Sequence, residues 1–283
     1  MNRPLPRLCT EPAAGLLGDT AQRDYARKLK LFNAFARPEL RAAIADLGLA
    51  TGSRVLDAGC GTGEALGWLQ EAVGAGGVVI GMDLATAHAR VARDTAAAIV
   101  QGDMQQPCFA QGSFDLVWAV NALNHLRDPV AGIRTLSNLL RPGGRIAIGQ
   151  SSFLPDMYFA WDARLERVVN DAVRTYYRER YGRSEREFTG VRALVGWLQR
   201  AGLRELGVRT RMIERTFPLS PEDENYLLEA IFRGTWGERL RGYMDPDDFT
   251  EMMRLCDPDD ERYALRRSDF HFLQTFTLAV GTR

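Results

Sequence analysis

The sequence has 283 residues, enough for one large domain or two small ones, and its 46% apolar and 25% charged residues are ordinary proportions for a globular protein. Because 36 Lys and Arg residues balance 36 Asp and Glu residues, and we find neither a signal segment nor an apolar run of about 18 residues, we expect no nucleic-acid partner and no membrane partner. The four cysteines are too scattered for a metal-ligand pair or a disulfide framework, so we expect no metal site and a reducing, cytoplasmic location.

The first 50 residues are predicted to form an N-terminal arm followed by cap helices. Residues 1–18 are rich in Pro and Gly, which is typical of a loose arm. Residues 20–47 carry apolar side chains at helical spacing, and Arg37 and Pro38 interrupt that pattern. We therefore predict two short helices ahead of the first strand.

A strand, a tight turn and the start of a helix follow one another in residues 55–63, which read Val-Leu-Asp-Ala-Gly-Cys-Gly-Thr-Gly. Glycine tolerates positive φ and lets a ligand approach the backbone closely. At the carboxyl edge of a parallel sheet, such a turn predicts a nucleotide-like ligand. The dinucleotide fingerprint fails, however, because Glu64 stands where its last glycine is required, and no Gly-Lys-Ser/Thr phosphate loop follows.

Strand and helix patterns alternate from residue 54 to residue 150. The strand segments are apolar on both faces, as expected for a parallel sheet covered by helices, and right-handed crossovers would make the sheet doubly wound. The predicted strands are residues 55–57, 78–83, 98–102, 114–120 and 145–150, and the helices between them are predicted to end near residues 73, 97 and 140. We expect Arg-Pro-Gly-Gly to stop the last of these helices.

The second half of the chain has a different order of elements. A long helix is predicted over residues 158–180 and another over 191–201. Residues 206–213 and 272–280 alternate like strands, and they flank a segment of helical pieces at residues 217–270.

The acid at Asp57 ahead of the Gly59-x-Gly61-x-Gly63 turn resembles the first motif of class I methyltransferases that use S-adenosylmethionine (SAM). The resemblance implies a doubly wound, seven-stranded α/β sheet whose last strand is antiparallel, with an N-terminal helical cap and helical insertions. Residues 206–213 and 272–280 would then be its sixth and seventh strands. The implied organisation is an arm and cap at 1–50, a SAM-binding core at 51–216 with a helical insertion at about 155–188, a helical lid at 217–270 and a final core strand at 271–283.

The same resemblance implies how the cofactor is held. Asp83, at the end of the second strand, would accept both ribose hydroxyls, and Asp103, at the end of the third, would take the adenine amine. Each could instead cap a following helix. Asp57 would orient the loop and reach the cofactor ammonium, and Tyr25 with the basic side chains after it would touch the cofactor carboxylate, unless that helix face is merely solvated. The implied cofactor-binding residues are Asp57, Gly59, Cys60, Gly61, Gly63, Asp83, Leu84, Asp103, Met104, Asn121 and Tyr25.

The fourth strand and the residues after it, 114–126, resemble the small-molecule methyltransferases of ubiquinone and menaquinone biosynthesis. Asn121 would lie beside the sulfonium, and His125 would be the candidate general base, because histidine titrates near neutral pH. A packing residue at a helix start is the alternative for His125. Tyr158 and Trp161 follow the fifth strand and could line an aromatic substrate pocket, or could simply pack a helix onto the sheet.

The resemblance implies transfer of a methyl group from SAM to an O, N or C atom of a small molecule, in quinone-like or secondary metabolism. A methyltransferase acting on RNA or protein is the first alternative, although the Asn121-Ala-Leu-Asn sequence lacks the Asn/Asp-Pro-Pro-Tyr pattern used for planar amines. A non-catalytic SAM-binding protein would be expected to have a decayed loop, and this loop is intact. The oligomeric state cannot be read from the sequence.

Overall fold

The described part of the chain, residues 26–95, 97–151, 158–159, 161–181 and 190–283 of a computed structural model, is organised around one mixed β-sheet. Seven strands run in the order β3-β2-β1-β4-β5-β8-β7, and the two-residue β6 pairs with β8 beyond the end of β5. The strands are β1 (Arg54–Ala58), β2 (Val78–Asp83), β3 (Ala98–Gln101), β4 (Phe114–Val120), β5 (Leu140–Ser151), β6 (Tyr158–Phe159), β7 (Arg204–Thr216) and β8 (His271–Thr282).

The first five strands are parallel, and β8 is antiparallel to β5 and to β7. This arrangement confirms the predicted sheet, including its antiparallel last strand and the pairing of the sixth and seventh core strands. Leu56 and Val117 are fully buried at the centre of the sheet, as the unbroken apolar patterns indicated. Helices cover both faces, so the carboxyl ends of β1 to β5 are left to form a site.

Seven α-helices of the described ranges accompany the strands up to β7. Capping decides where two of them begin: Asp128 accepts a hydrogen bond from the backbone of Ala131, and Asp162 accepts one from that of Leu165. These helices are α1 (Ala26–Phe35), α2 (Arg37–Ala45), α3 (Glu64–Val73), α4 (Thr86–Ala92), α5 (Pro129–Ser137), α6 (Ala163–Tyr181) and α7 (Gly190–Ala201).

Three predicted boundaries are wrong. Helix α5 ends at Ser137, and the Arg-Pro-Gly-Gly sequence lies inside β5, because Leu140 already pairs with Phe114 and a register shift absorbs the irregular residues. Helix α4 ends at Ala92 rather than near residue 97. The long helix begins at Ala163 instead of residue 158, since residues 158–159 pair with β8 as a strand.

The segment between β7 and β8 is helical, as the sequence pattern indicated. It contains α8 (Pro221–Asn225), a π-helical segment (Tyr226–Trp236), a 3₁₀ segment (Gly237–Tyr243) and α9 (Pro246–Cys256). Leu227, Ile231 and Phe232 of the π-helical segment are buried. Its apolar side therefore belongs to the same core as α1 and β8. No helix in the described ranges is long and apolar enough to cross a membrane.

Candidate cofactor and substrate site

The turn between β1 and α3 has the backbone conformation that its glycines predict. Gly59, Gly61 and Gly63 have φ values of 82°, 55° and 91°, in the region that side chains disfavour. The amides of Gly59 and Cys60 both donate to the carbonyl of Met82, at 2.7 and 3.0 Å. These bonds fasten the turn to the end of β2, so that the loop and the second strand form one unit.

Neighbouring groups leave little room for a side chain at any of the three glycines. A Cβ atom at Gly59 would lie 2.6 Å from the Cβ of Ala122, and one at Gly63 would lie 3.1 Å from the Cβ of Ala92. At Gly61 the nearest neighbour would be the side chain of Leu29 in α1, at 3.1 Å. The turn is therefore a cradle of bare backbone, with α1 directly beside it.

Asp83 connects this turn to the start of α4. Its Oδ2 accepts a hydrogen bond from the amide of Gly61 and its Oδ1 accepts one from the amide of Ala85, both at 2.8 Å. The ring of His88 lies 3.5 Å from the same carboxylate. Asp83 thus holds the loop in place, and the remaining lone pairs of its oxygens are available for ribose hydroxyls.

Asp57 is the most perturbed acid of the site. Its side chain is 2% exposed, and its Oδ2 has no hydrogen-bond partner among the described residues. Burial raises the pKa of this carboxyl to about 8, and the nearby charges of Asp83 and Glu64 add to the increase. Glu64 in turn accepts hydrogen bonds from Thr62 and from Asn33 of α1, at 2.6 and 2.8 Å.

Three carboxyl groups therefore surround the turn, and one of them has a buried oxygen with no hydrogen-bond partner among the described residues. A cation placed there would stabilise the charged form of Asp57, which its surroundings otherwise disfavour. The ammonium and sulfonium groups of SAM are cations of this kind. Together with the glycine cradle, the unpaired oxygen of Asp57 shows that the residues present fit SAM.

The other predicted cofactor residues lie at the ends of the neighbouring strands. Leu84 follows β2 and is half-buried, and Asp103 accepts a hydrogen bond from the amide of Gln105 at 2.8 Å, which folds the chain after β3 into a turn. Met104 lies against Gly59, since its terminal methyl group would be 3.2 Å from a Cβ there. The structure thus brings Met104 to the glycine turn, whereas the roles of Leu84 and Asp103 toward adenine stay predictions.

Asn121 occupies the left-handed region, with φ of 53°, directly after β4. Its side-chain oxygen accepts from the amide of Ser151 at 2.8 Å, and its side-chain nitrogen donates to the hydroxyl of Ser151 at 3.3 Å. Asn121 therefore ties the end of β4 to the end of β5. The sequence prediction of a place beside the sulfonium did not foresee this structural role, although Asn is among the residues that adopt positive φ most readily.

His125 ends the short 3₁₀ turn Leu123–His125. Its Nδ1 is buried and has no partner among the described residues, and burial lowers the pKa of the ring to about 4, against the opposing effect of Asp83. The imidazole is therefore neutral at pH 7 and can accept a proton, but only as a weak base. Burial also raises the pKa of the Cys60 thiol, which disfavours the reactive thiolate form.

Trp161 lies in a group of four aromatic rings, which we call the ring cluster: Phe159, Trp161, Phe232 and Trp236. The Nε1 atoms of Trp161 and Trp236 are both buried, and neither has an acceptor in the described structure. Trp161 packs here against buried core side chains, with Trp236 as a further neighbour, and its role in a substrate pocket stays a prediction. Tyr158 lies in β6, but its side chain is outside the described part of the chain.

Helix α1 lies between the glycine turn and the segment that precedes β8. On one side of the helix, Leu29 lies beside Gly61 and Asn33 donates to Glu64. On another side, Arg27 pairs with Glu229 at 2.8 Å, Lys28 donates to Thr235 at 3.1 Å, and Phe35 stacks on Tyr226 at 4.3 Å between ring centroids. Tyr25, the predicted contact of the cofactor carboxylate, lies outside the described residues.

Residues 56–148 match a family described as a methyltransferase domain. The chain is 30% identical over 183 residues to methyltransferase GfsG of Streptomyces halstedii, with 62% of this chain and 61% of the relative covered. It is 31% identical over 158 residues to aklanonic acid methyltransferase DauC of Streptomyces sp. strain C5, covering 53% and 70%. It is also 30% identical over 112 residues to demethylmenaquinone methyltransferase of Staphylococcus aureus, covering 38% and 46%. The match therefore spans less than two thirds of the length of two of these three relatives.

Solved structures show the same fold at low identity. A SAM-dependent methyltransferase from Aquifex aeolicus superposes with a TM-score of 0.50 at 19% identity, covering 66% of this chain and 92% of that one. Phosphoethanolamine N-methyltransferase 2 of Haemonchus contortus superposes with a TM-score of 0.54 at 16% identity, covering 96% and 60%.

Proposed function

The chain belongs to the class I SAM-dependent methyltransferases, and from this premise we propose that it transfers the methyl group of SAM to a small-molecule acceptor. SAM supplies a methyl group on a positively charged sulfur. The residues of the chain would bind and orient the reactants, exclude water and remove a proton where the acceptor requires it.

The observation that carries the proposal is the buried oxygen of Asp57 beside the three-glycine turn, which has no hydrogen-bond partner in the described part of the chain. A buried carboxyl group without a partner is costly, and a ligand cation relieves that cost. In this proposal Asp57 faces the ammonium of the cofactor, Asp83 accepts the ribose hydroxyls, and Asp103 with Met104 holds the adenine.

Two features support a small acceptor. First, α1 and the 217–270 segment lie against each other next to the glycine turn, so the acceptor would be enclosed. Second, two relatives are named for small molecules, aklanonic acid and demethylmenaquinone. We therefore place the acceptor in secondary or quinone-like metabolism.

His125 is the proposed general base, acting in its neutral form. Because burial favours that form, the ring would be ready to accept a proton throughout the neutral pH range. Its low basicity suits an acceptor that is already acidic, or a carbon nucleophile that loses its proton only after the methyl group has been transferred.

The test is methyl transfer with SAM labelled in its methyl group. The purified protein is incubated separately with a panel of phenols, carboxylic acids, 1,3-diketones and amines, with total RNA, and with unfolded protein, while formation of S-adenosylhomocysteine (SAH) is followed. We expect label in at least one small molecule. Label only in RNA or only in protein would contradict the proposal.

A further inference from the structure

Lys28 is a cation held in an unusual setting between two helices. Its side chain is part-buried, and its ammonium group donates to the hydroxyl of Thr235 in the π-helical segment at 3.1 Å. The single proton of that hydroxyl is already used, because it is donated to the carbonyl of Ala230 at 2.7 Å. Among the described residues, the hydrogen-bond partner of the ammonium is therefore a neutral group.

Within the described part of the chain, no carboxylate balances this charge. Glu229, the acid of the π-helical segment, forms ion pairs with Arg27 and Arg233 at 2.8 and 2.7 Å. Burial lowers the pKa of Lys28 to about 8, and the positive charge of the neighbouring Arg239 adds to the decrease. Buried charges in proteins are normally paired, so this position lacks an anion.

The position of Lys28 separates it from the cofactor side of α1. Leu29 and Asn33 face the glycine turn, whereas Lys28 and Phe35 face the π-helical segment. Thr235, the partner of Lys28, is followed directly by Trp236, whose ring lies 5.1 Å from that of Trp161. Lys28 is therefore bonded to the residue that precedes one of the four rings in the sequence, and it leaves α1 on a different face from the side chains that contact the glycine turn.

We propose that Lys28 determines acceptor specificity by binding a carboxylate of the substrate, and that the substrate's aromatic body packs beside Trp161. The inference rests on the proposed function and deepens it by naming the substrate class, an aromatic acid. The N–H groups of Trp161 and Trp236, which have no acceptor within the described ranges, would supply further donors to oxygens of that molecule. Small-molecule sites in proteins are usually lined by apolar and aromatic side chains with a few convergent polar groups, and a cation beside aromatic rings is such a combination.

The test uses defined probes in the presence of saturating SAH. Benzoate, 2-naphthoate and 2-anthroate are each compared with the corresponding neutral amide, and binding is followed by quenching of tryptophan fluorescence. The variants are Lys28→Met, Lys28→Arg and, as a matched control, Lys30→Met, which removes an exposed charge from the same helix. Affinity for SAH is measured on every sample.

We expect at least one acid to bind about tenfold more tightly than its amide, the size of effect that a hydrogen bond to a charged group produces. Lys28→Met should abolish that preference, Lys28→Arg should keep part of it, and Lys30→Met should leave it unchanged. The melting temperature of free Lys28→Met should equal or exceed that of the wild type, because an uncompensated charge has been removed.

Three outcomes would overturn the inference. One is that no acid binds more tightly than its amide. Another is that Lys28→Met weakens SAH binding about tenfold while the preference for acids survives, which would assign Lys28 to the cofactor carboxylate. The third is that Lys28→Met markedly lowers the melting temperature, which would indicate an ion pair with an acid outside the described residues. Failure of the wild type to bind SAH would instead refute the proposed function itself.

Discussion

Asp57 places a carboxyl group where its surroundings disfavour the charged form. Its pKa in the folded protein is about 8, against 3.8 for the free side chain, so the folded state holds this proton more tightly than the unfolded state does. The resulting stability is fully present below about pH 4 and is lost as the pH rises through about 8.

Between pH 5 and pH 8 we expect the ligand-free protein to lose roughly 2–4 kcal/mol of unfolding free energy through this group. Asp57→Asn should remove most of that loss, because an amide does not ionise. Urea unfolding of both proteins across this pH range measures the loss of unfolding free energy. Asp128→Asn, which exchanges one good helix cap for another, serves as the control and should follow the wild type. Parallel curves for Asp57→Asn and the wild type would contradict the assignment.

Gly59 combines a positive φ with a lack of space, and the two effects can be separated. Gly112 has a similar φ, 69° against 82°, but a Cβ there would meet nothing within 4 Å. We expect Gly112→Ala to cost about 1 kcal/mol from backbone strain alone. Gly59→Ala should cost about 2–4 kcal/mol, because the clash with Ala122 is added, and should abolish SAH binding. Denaturant unfolding measures the loss of stability in each variant, and calorimetry measures SAH binding. Equal costs for the two variants would show that the close contact at Gly59 relaxes freely.

His125 should remain neutral at pH values where an exposed histidine is already protonated. Burial favours the neutral form, so NMR of ring-labelled histidine should show one imidazole that titrates near 4, and its signal should be missing from His125→Asn. If the residue is also the base, His125→Asn should lower turnover of an accepted substrate by about 10²–10⁴-fold. The SAH affinity should not change. Titration near 6.5 would contradict the buried environment.

At the level of elements, Arg215 of β7 ties three segments together. It pairs with Glu39 of α2 at 2.8 Å and with Asp223 of α8 at 2.9 Å, and its guanidinium lies 4.7 Å from the centre of the Phe35 ring. These three partners belong to α2, to α8 and to the C-terminal end of α1. We expect the network to hold the cap helices and the segment after β7 in one arrangement.

Arg215→Met should lower the unfolding free energy by about 2 kcal/mol, a value below that for a fully buried pair because solvent reaches part of the network. Arg241→Met removes an exposed ion pair with Glu238 and should change the stability little. Denaturant unfolding of the two variants provides the comparison. If both cost the same, the Arg215 network contributes no more than an ordinary surface pair.

Helix α1 and the 217–270 segment are expected to behave as a lid over the bound reactants. Hydrogen exchange should therefore slow in Ala26–Phe35 and in Tyr226–Trp236 when SAH binds, because both contact the site or each other. Exchange in α7, Gly190–Ala201, should be unaffected. Unchanged exchange in α1 would argue against a lid.

The sequence predicted those elements whose signals are local. Val78–Asp83 and Phe114–Val120 have the predicted bounds, since short apolar runs between turns mark them directly. The strand β6 was missed because pairing with β8, more than 100 residues later, outweighs the helical pattern around Tyr158. The same limit applies to the site. The glycine turn and its acids could be recognised, but the contact of Lys28 with Thr235 joins residues 207 positions apart and has no local signal.

For the whole molecule, the balanced net charge conceals an uneven distribution. Residues 217–270 contain fourteen acids and seven arginines, so the rest of the chain carries the matching positive excess. Arginines outside that segment pair with acids inside it: Arg27 with Glu229, Arg164 with Asp248, and Arg215 with Asp223. The acidic segment is therefore electrostatically complementary to the surface it covers.

The central claim, that this fold binds SAM through the Asp57–Gly63 turn and the acids around it, is tested most directly by isothermal titration calorimetry. SAM, SAH, NADH and ATP are titrated separately into the protein at pH 7.5, with Gly59→Ala as the binding-deficient control. We expect saturable binding of SAM and SAH at one site per chain, with dissociation constants on the order of micromolar, and no binding of NADH or ATP. Binding of NADH or ATP without binding of SAM would contradict the claim.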